Sequence, residues 1–259
     1  MFEYERIEKD NTIRITGMRG SARRVSIPDQ LDGHTVTEIG PYAFSGSGIT
    51  LLDLPRSIRC MGRYALYNCS ELQEFCFCSG LSDFGAGTFT GCRRIRKIVV
   101  ELDTDETSHL RDVLMEIPME LLVEYRCKGR TARLQFPEYY EEGVENTPAR
   151  IIVSHMHGSG LLYRNCFVNR RLQFGEYDSR FAFALGQEGL PFLFRLCLDR
   201  LMTPYELSTE AKRTYEKFLK DHFSQALDYY TSLKESTAVS FLMQLRRQDG
   251  SVRRRTFEL

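Results

Sequence analysis

An internal repeat of 22 or 23 residues constrains the fold of this chain more than any other feature of its sequence. Three consecutive units, residues 36–57, 58–80 and 81–102, align with one another. Three columns of the alignment hold similar residues: Gly40, Gly62 and Gly85; Phe44, Leu66 and Phe89; Ser47, Cys69 and Cys92. One such unit cannot bury its own apolar face, so stacked neighbours must bury a continuous core. The repeat therefore predicts a solenoid.

Each unit contains a short segment in which apolar and other residues alternate, as expected for a strand with one buried side. The predicted inward positions recur every 23 residues: Leu52, Phe75 and Ile98; Leu54, Phe77 and Val100. Upstream, residues 25–28 match residues 52–55 and indicate a partial unit, and residues 12–16 alternate like a strand that caps the stack. We interpret the glycine of each unit as permitting a tight turn.

The segment IPDQLDGHTVTEIGPYAFSGSGITLLDLP resembles the BspA-type leucine-rich repeat, a subclass found in many bacterial proteins. The match rests on IP, DG, VTEIG, the AF pair and the GC step, and it covers about residues 12–102. The third unit departs from the pattern at Thr88, where alanine is expected, and lacks the proline after its strand. The resemblance implies a right-handed solenoid whose parallel strands line one face and bind other macromolecules.

The outward positions of the predicted strands form two ladders of side chains. If the sheet face binds a protein partner, eight residues would contact it: Arg24, Ser26, Leu51, Asp53, Glu74, Cys76, Lys97 and Val99. No aromatic cluster marks this face as an energetic hot spot. A simply solvated face is the alternative interpretation.

Charge and hydropathy exclude several classes of function. The chain carries 35 basic and 35 acidic residues, which argues against an overall electrostatic attraction to nucleic acid or an acidic membrane. We interpret Arg246, Arg247 and the arginines at 253–255 as a solvated helix face or tail. No apolar run approaches the length of a membrane span, and the N-terminal residues MFEYERIEKD lack a secretory apolar region. These features predict a cytoplasmic protein, and they leave its oligomeric state open.

Eight cysteines are most simply read as reduced thiols that pack as small apolar side chains. A metal site built from Cys69, Cys76, Cys78 and Cys92 is the alternative, although the Cys76–Cys78 spacing does not fit a CxxC motif. We expect no cofactor.

After residue 102 the repeat register stops, and the chain is predicted to divide into a solenoid at 1–104 and a mixed, mainly helical domain at 105–259. The overall expectation is thus an α+β multidomain protein. The second domain should contain a helix over about 107–117 that covers the last repeat. The remaining predicted elements are a hairpin at 121–127 and 130–136, a polar turn region at 136–148, a strand or buried helix at 149–157, and helices at 181–185, 189–202, 208–230 and 237–247.

The segment from Ser154 to Gly160 is the most tempting chemical motif. On a strand, His155 and His157 would share one face and could bind a metal, with Asp178 or Glu176 as guessed further ligands. The nucleophile-elbow motif GxSxG around Ser159 would need glycine at position 157, where the chain has His157. A local turn with histidines that hydrogen-bond nearby is the simpler interpretation, and a small anion at a following helix is another. We therefore expect a non-enzymatic protein-interaction module, with a metal-dependent or hydrolytic enzyme centred on these histidines as the alternative.

Overall fold

The computed structural model describes residues 1–104, 106–146 and 151–254. The chain divides into two compact units, Met1–Gln173 and Phe174–Leu259. The boundary that the sequence predicts after residue 104 lies inside the first unit. The division into domains at 1–104 and 105–259 stays a prediction.

The first unit consists of short strands and two small helices. In chain order they are β1 (Phe2–Ile7), β2 (Thr12–Met18), β3 (Arg24–Ser26), β4 (Gln30–Leu31), β5 (His34–Ile39), β6 (Leu51–Asp53), β7 (Cys60–Met61), β8 (Glu74–Cys78), β9 (Asp83–Phe84), β10 (Lys97–Leu102), α1 (Leu110–Glu116), β11 (Leu121–Cys127), β12 (Arg130–Phe136), β13 (Tyr140–Asn146), β14 (Ile151–His157), α2 (Gly160–Arg164), β15 (Phe167–Val168) and β16 (Arg171–Leu172).

The main sheet runs in the order β12-β11-β10-β8-β6-β3 and confirms the predicted solenoid. Val25, Leu52, Phe75 and Ile98 occupy successive register positions across its parallel strands. All four side chains are buried. The partial unit at 25–28 and the three full units therefore share one apolar column, as the repeat requires.

A second sheet, in the order β1-β2-β5-β7-β9 with β4 beside β5, forms another wall of the solenoid. The predicted capping strand at 12–16 is confirmed as β2, and it pairs parallel with β5 in this second sheet. The sequence did not indicate β1, because its strand positions are exposed or only half-buried and carry mostly polar side chains. The cap is therefore a hairpin of β1 and β2.

The glycine column has a different cause from the tight turn that we expected. A Cβ on Gly62 would lie 2.5 Å from the nitrogen of Pro41 and 2.7 Å from the carbonyl carbon of Gly40. A Cβ on Gly85 would lie 2.2 Å from the nitrogen of Arg63. These are backbone atoms of the preceding coil, which cannot move aside. Glycine is required at these positions because consecutive coils approach closely, and neither glycine has a positive φ.

Backbone hydrogen bonds join the bends of successive coils. The amide of Phe44 donates to the carbonyl of Ala65 at 2.9 Å, and the amide of Tyr64 donates to the carbonyl of Ala86 at 3.2 Å. At the neighbouring bend, the thiol of Cys69 donates to the carbonyl of Phe44 at 3.0 Å. The Cys92 thiol repeats this contact with the carbonyl of Leu66 at 3.2 Å. The cysteine column thus satisfies buried carbonyl groups, which fits the interpretation of these residues as structural thiols.

The stack continues in space beyond the end of the sequence repeat. Strand β11 pairs parallel with β10, so that Val123 lies beside Ile98. Strand β12 then pairs antiparallel with β11, which confirms the predicted hairpin. Helix α1 confirms the expected helix, although it begins three residues later than the sequence indicated.

Helix α1 covers the bend of the last coil through Glu116. The carboxylate of Glu116 accepts hydrogen bonds from the backbone amides of Gly87, at 2.6 Å, and Phe89, at 3.1 Å. In earlier coils the equivalent amides donate to carbonyl groups of the next coil. The carboxylate therefore replaces the missing next coil, and this confirms that the helix covers the last repeat.

Arg164 anchors the region after the solenoid. Its guanidinium is fully buried and donates five hydrogen bonds, all to backbone carbonyl oxygens: those of Leu114, Pro137, Gly160, Ile117 and Met119. Burial lowers the pKa of Arg164 to about 10. Because the guanidinium has five N–H groups, every donor has a partner.

Two expectations for residues 136–157 are settled by one hairpin. The region 136–148 was expected to be a polar turn, and this was wrong for most of its length, since β13 spans Tyr140–Asn146. Strand β14 pairs antiparallel with it, so the segment 151–157 is a strand and not a buried helix. Residues 147–150 lie outside the described part of the chain. The pairing partner, more than the polar sequence of β13 itself, makes it a strand.

The second unit is helical. Its helices are α3 (Phe174–Ser179), α4 (Phe181–Ala184), α5 (Leu190–Met202), α6 (Thr209–Asp221), α7 (Phe223–Ser232) and α8 (Ser236–Arg254). Ser208 caps α6 by accepting a hydrogen bond from the amide of Ala211, as its sequence suggested. The single helix expected over 208–230 was wrong, because the backbone of His222 leaves the helical region at φ −111° and ψ 27°. In the described part of the chain, no helix has the length and apolar character to cross a membrane.

Candidate interaction surface

The two predicted ladders lie side by side on the outer face of the main sheet. Arg24, Leu51, Glu74 and Lys97 occupy one row of register partners, and Ser26, Asp53, Cys76 and Val99 occupy the other. Strand β11 extends both rows, since Lys97 lies beside Leu122 and Val99 lies beside Glu124. The repeat register thus places all eight side chains on one continuous surface.

The eight side chains differ in their exposure. Arg24, Ser26 and Asp53 are exposed, and Glu74, Cys76 and Lys97 are half-buried. Leu51 and Val99 are only 8% and 5% exposed. A partner docked on this face would therefore contact mainly the polar members of the ladders, and the two apolar members would support them from below.

Ion pairs organise the half of this face towards β11. The ammonium of Lys97 lies 3.2 Å from a carboxylate oxygen of Glu74 and 3.0 Å from one of Glu124. Glu124 also contacts the guanidinium of Arg126 at 2.6 Å. Burial alone would raise the pKa of Glu124, but hydrogen bonds from Lys97 and Arg126 outweigh it and hold the pKa below its usual value. The network fixes charged side chains of both signs on one flat surface.

An open groove of about 750 Å³ lies where β10 and β11 end. Arg56 lies there and pairs with Glu101 and Asp103, each at 2.8 Å. Lys128, from the hairpin turn, reaches the buried carboxylate of Glu106 at 3.0 Å. Arg56 and Lys128 in this groove thus have partners within the chain, and the groove extends the polar surface beyond the sheet face.

The histidine segment lies in the hairpin of β13 and β14. His155 and His157 lie on β14, and Glu142 faces His155 across the hairpin. His157 Nε2 lies 3.0 Å from a carboxylate oxygen of Glu142, and its ring stacks on Tyr140. Among the residues that the structure describes, no three or more His, Cys, Asp or Glu side chains converge to hold a metal.

The guessed further ligands belong to other contacts. Asp178 is paired with Arg200 inside the second unit, and Glu176 pairs with Arg180 at 2.9 Å. Ser159 is buried immediately before the five-residue helix α2, where a Cβ on Gly160 would overlap the carbonyl of Pro137. The turn interpretation of residues 158–160 therefore holds, with Gly158 at φ 80°.

The thiols on the sheet are not activated. Burial raises the pKa of Cys76 to about 12 and that of Cys78 to about 11. Cys69 and Cys92 lie at the bends, where they donate to carbonyl groups. A nucleophilic or metal-binding cysteine needs the thiolate, which these environments disfavour.

The structure reveals an aromatic cluster that sequence reasoning missed. The rings of Tyr42 and Tyr64 stack with centroids 5.3 Å apart, and Tyr67 meets both edge-on. Tyr42 and Tyr64 have positive φ, and the next coil has Gly87 at the equivalent place. A Cβ on Gly87 would overlap the ring of Tyr64. The signal available in the sequence was the tyrosine before the apolar pair in two successive units. The cluster lies on the bends and not on the sheet face.

Fold and surface together define a solenoid repeat region with a polar sheet face. Residues 21–108 match the model of the BspA type leucine rich repeat region in six copies. This part of the chain is a BspA-type leucine-rich repeat region, as the sequence resemblance indicated. A search of curated proteins found no match.

Three solved bacterial structures are similar to part of the chain. The leucine-rich repeat protein TpLRR from T. pallidum is 24% identical over 49% of this chain, with a TM-score of 0.37. A leucine-rich cell surface protein from Faecalibacterium prausnitzii A2-165 is 24% identical over 40% of this chain, with a TM-score of 0.35. A leucine-rich repeat protein from Bacteroides ovatus ATCC 8483 is 26% identical over 39%, with a TM-score of 0.36. This chain covers 62%, 31% and 28% of their respective lengths.

Proposed function

We propose that the protein is a non-enzymatic interaction module that binds a protein partner on the outer face of the main sheet. The observation that carries the proposal is the side-by-side placement of two polar ladders on consecutive parallel strands. Six of the eight candidate residues are at least partly accessible on this face. A flat array of fixed charges of both signs favours a partner with a complementary charge pattern.

Ordered ion pairs give this face its specificity. Lys97 is held between Glu74 and Glu124, so its ammonium occupies one position and is not free to sample many. Towards β3, Arg24 and Asp53 remain exposed and bring one charge of each sign. A partner would therefore meet ordered charges near β11 and accessible charges near β3.

Charge reversal on the sheet face tests the proposal. The full chain would be used to recover a partner from lysate of the native host, and the purified partner would then be titrated against Asp53→Lys/Glu74→Lys. We expect affinity to fall at least about tenfold, since a like-charge contact at an interface costs on the order of a kcal/mol or more. Asp10→Lys, which reverses an exposed charge in the β1–β2 turn, is the control and should bind like the wild type. Unchanged affinity of the double variant would exclude this face.

The non-enzymatic part of the proposal has its own test. Metal analysis of the purified full chain should find no stoichiometric metal. A bound metal that is lost in His155→Ala/His157→Ala would instead support the enzyme centred on the histidines.

We further propose a cytoplasmic location. All eight cysteines are free thiols, five of them buried, and reduced cysteines of this kind are usual in reducing compartments. Alkylation of denatured protein from cells, without added reductant, should modify all eight cysteines. Protection of a pair of cysteines until reductant is added would argue for an oxidising compartment.

A further inference from the structure

The helical unit contains an apolar groove that its own core does not fill. One part of the groove has a volume of about 790 Å³ and is lined by Phe181, Leu185, Leu190, Leu193 and Phe218 among others. A second part, of about 390 Å³, shares Phe181, Leu185 and Thr214 with the first. The two parts therefore adjoin beside α4 and α6.

The groove follows α6 from end to end. Residues from Ser208 to Tyr215 line one part, and residues from Thr214 to His222 line the other. Helix α6 has 13 residues, which corresponds to about 20 Å at 1.5 Å per residue. Two adjoining depressions along a helix of that length match several turns of a helix better than they match a compact metabolite.

The floor of the groove is apolar and partly open to solvent. Phe181, Leu193 and Phe218 are buried and form a fixed floor. Leu185 is 46% exposed on the wall, where nothing in the described chain covers it. Its side chain is available to contact a ligand without any rearrangement of the core.

The charged side chains of the groove favour a basic ligand. Glu210 and Asp221 line it, against one lysine, Lys217. Asp178 also lines it, but its charge is matched by the buried guanidinium of Arg200. The rim therefore carries an excess of negative charge around an apolar floor.

We propose that this groove binds an amphipathic helix of a protein partner, with an apolar face towards Phe181, Leu185 and Phe218 and Lys or Arg residues along its flanks. This surface is separate from the sheet face and belongs entirely to the second unit. The partner helix would lie along α6 and bury the exposed part of Leu185.

A display selection on the full chain tests the proposal. The probe is a library of helical peptides of about four turns, with Leu fixed along one face and the flanking positions randomised among Lys, Arg, Glu, Gln and Ser. Selection on the wild type should enrich Lys and Arg at the flanks. Selected peptides should lose at least about tenfold in affinity for Leu185→Lys, which introduces a repelling charge into the apolar wall.

A matched control and a rim variant complete the experiment. Leu233 is 48% exposed in the same unit but lies outside the groove, so Leu233→Lys should bind the selected peptides as the wild type does. Asp221→Lys should weaken them severalfold, and raised salt should reduce that difference. Failure to enrich any peptide, enrichment of acidic flanks, or equal binding by Leu185→Lys would each overturn the proposal. None of these results depends on the partner of the sheet face.

Discussion

Arg200 and Asp178 form a two-bond ion pair in the interior of the helical unit. The guanidinium Nε and one Nη each donate to a different carboxylate oxygen at 2.8 Å, and both side chains are almost fully buried. Tyr215 donates to the same carboxylate at 2.9 Å. From the sequence, Asp178 is a guessed metal ligand. In the structure Asp178, which lies on α3, instead connects α3 with α5 through Arg200 and with α6 through Tyr215.

Breaking this ion pair on one side should destabilise the helical unit strongly. Asp178→Asn leaves the Arg200 charge buried without a counter-charge, so we expect a loss of about 3–5 kcal/mol in the free energy of unfolding. Chemical denaturation followed by circular dichroism measures it. The double variant Asp178→Leu/Arg200→Met removes both charges. It should lose less unfolding free energy than Asp178→Asn. If the double variant lost as much unfolding free energy as Asp178→Leu and Arg200→Met lose when their separate effects are added, the result would contradict the account.

The close approach of consecutive coils makes Gly62 irreplaceable. Gly62→Ala places a Cβ against backbone atoms of Pro41 and Gly40, and should cost about 1–3 kcal/mol or more. Gly48→Ala is the matched control, because its Cβ would meet no atom within 4 Å. That change should be neutral or slightly stabilising. Thermal unfolding of the two variants side by side distinguishes them, and equal melting temperatures would refute the coil-contact explanation.

Glu116 should protect the backbone amides that it binds in the last coil from hydrogen exchange. Glu116→Ala removes the charged acceptor of two hydrogen bonds that the amides of Gly87 and Phe89 donate, each contributing about 1.5–3 kcal/mol. Native-state hydrogen exchange should therefore speed up at these two amides. The amide of Tyr64, which donates to a carbonyl in the next coil, serves as the internal control. Equal acceleration at all three amides would indicate global destabilisation and not the loss of a cap.

The ion network on the sheet face should weaken in acid. The folded-state pKa of Glu124 lies below the usual 4.5, so between the two values the unfolded chain binds more protons. The contribution of Glu124 to stability is thus fully present above pH 4.5 and is lost as the pH falls through the folded-state pKa. The difference in unfolding free energy between the wild type and Glu124→Gln should shrink over that range. A difference that stays constant down to pH 3 would show that the ionised carboxylate contributes nothing.

The repeat could be predicted from sequence because its signal is local and periodic. Leu52, Phe75 and Ile98 recur at one spacing, and the stacking of coils follows from that spacing alone. The glycine column could be found in the sequence for the same reason. The close contact between coils that requires glycine there could not be found in the sequence. Whether a glycine serves a turn or a close contact depends on the neighbouring coil, which a single unit does not reveal.

Other features depend on partners that are distant in sequence. Strand β13 is polar and forms because β14 pairs with it, so its own residues predicted a turn. The apolar stripe of α6 continues into α7, so it conceals the break at His222. The five carbonyl partners of Arg164 come from three places in the chain, and four of the five lie at least 27 residues away, so nothing near this arginine in the sequence indicates its burial.

The position of the candidate surface on the sheet could be predicted from the sequence. The burial and ion pairing of its side chains could not. Register alone put the two ladders on one face, because strand side chains alternate. The burial of Leu51 and Val99, and the position of Lys97 between two carboxylates, required the neighbouring strands. The tyrosine cluster on the bends was visible only when the coils were stacked.

Site-specific photo-cross-linking in the native host tests the sheet-face proposal most directly. A photoreactive residue at Asp53, which is exposed on the sheet, would be compared with the same residue at Arg93, which is exposed off the sheet between the last bend and β10. The account predicts a discrete cross-linked protein from position 53 that disappears when Glu74→Lys is added, and none from position 93. Cross-linking of the same protein from position 93 alone would contradict the sheet-face proposal. The absence of a cross-linked protein from both positions would contradict it as well.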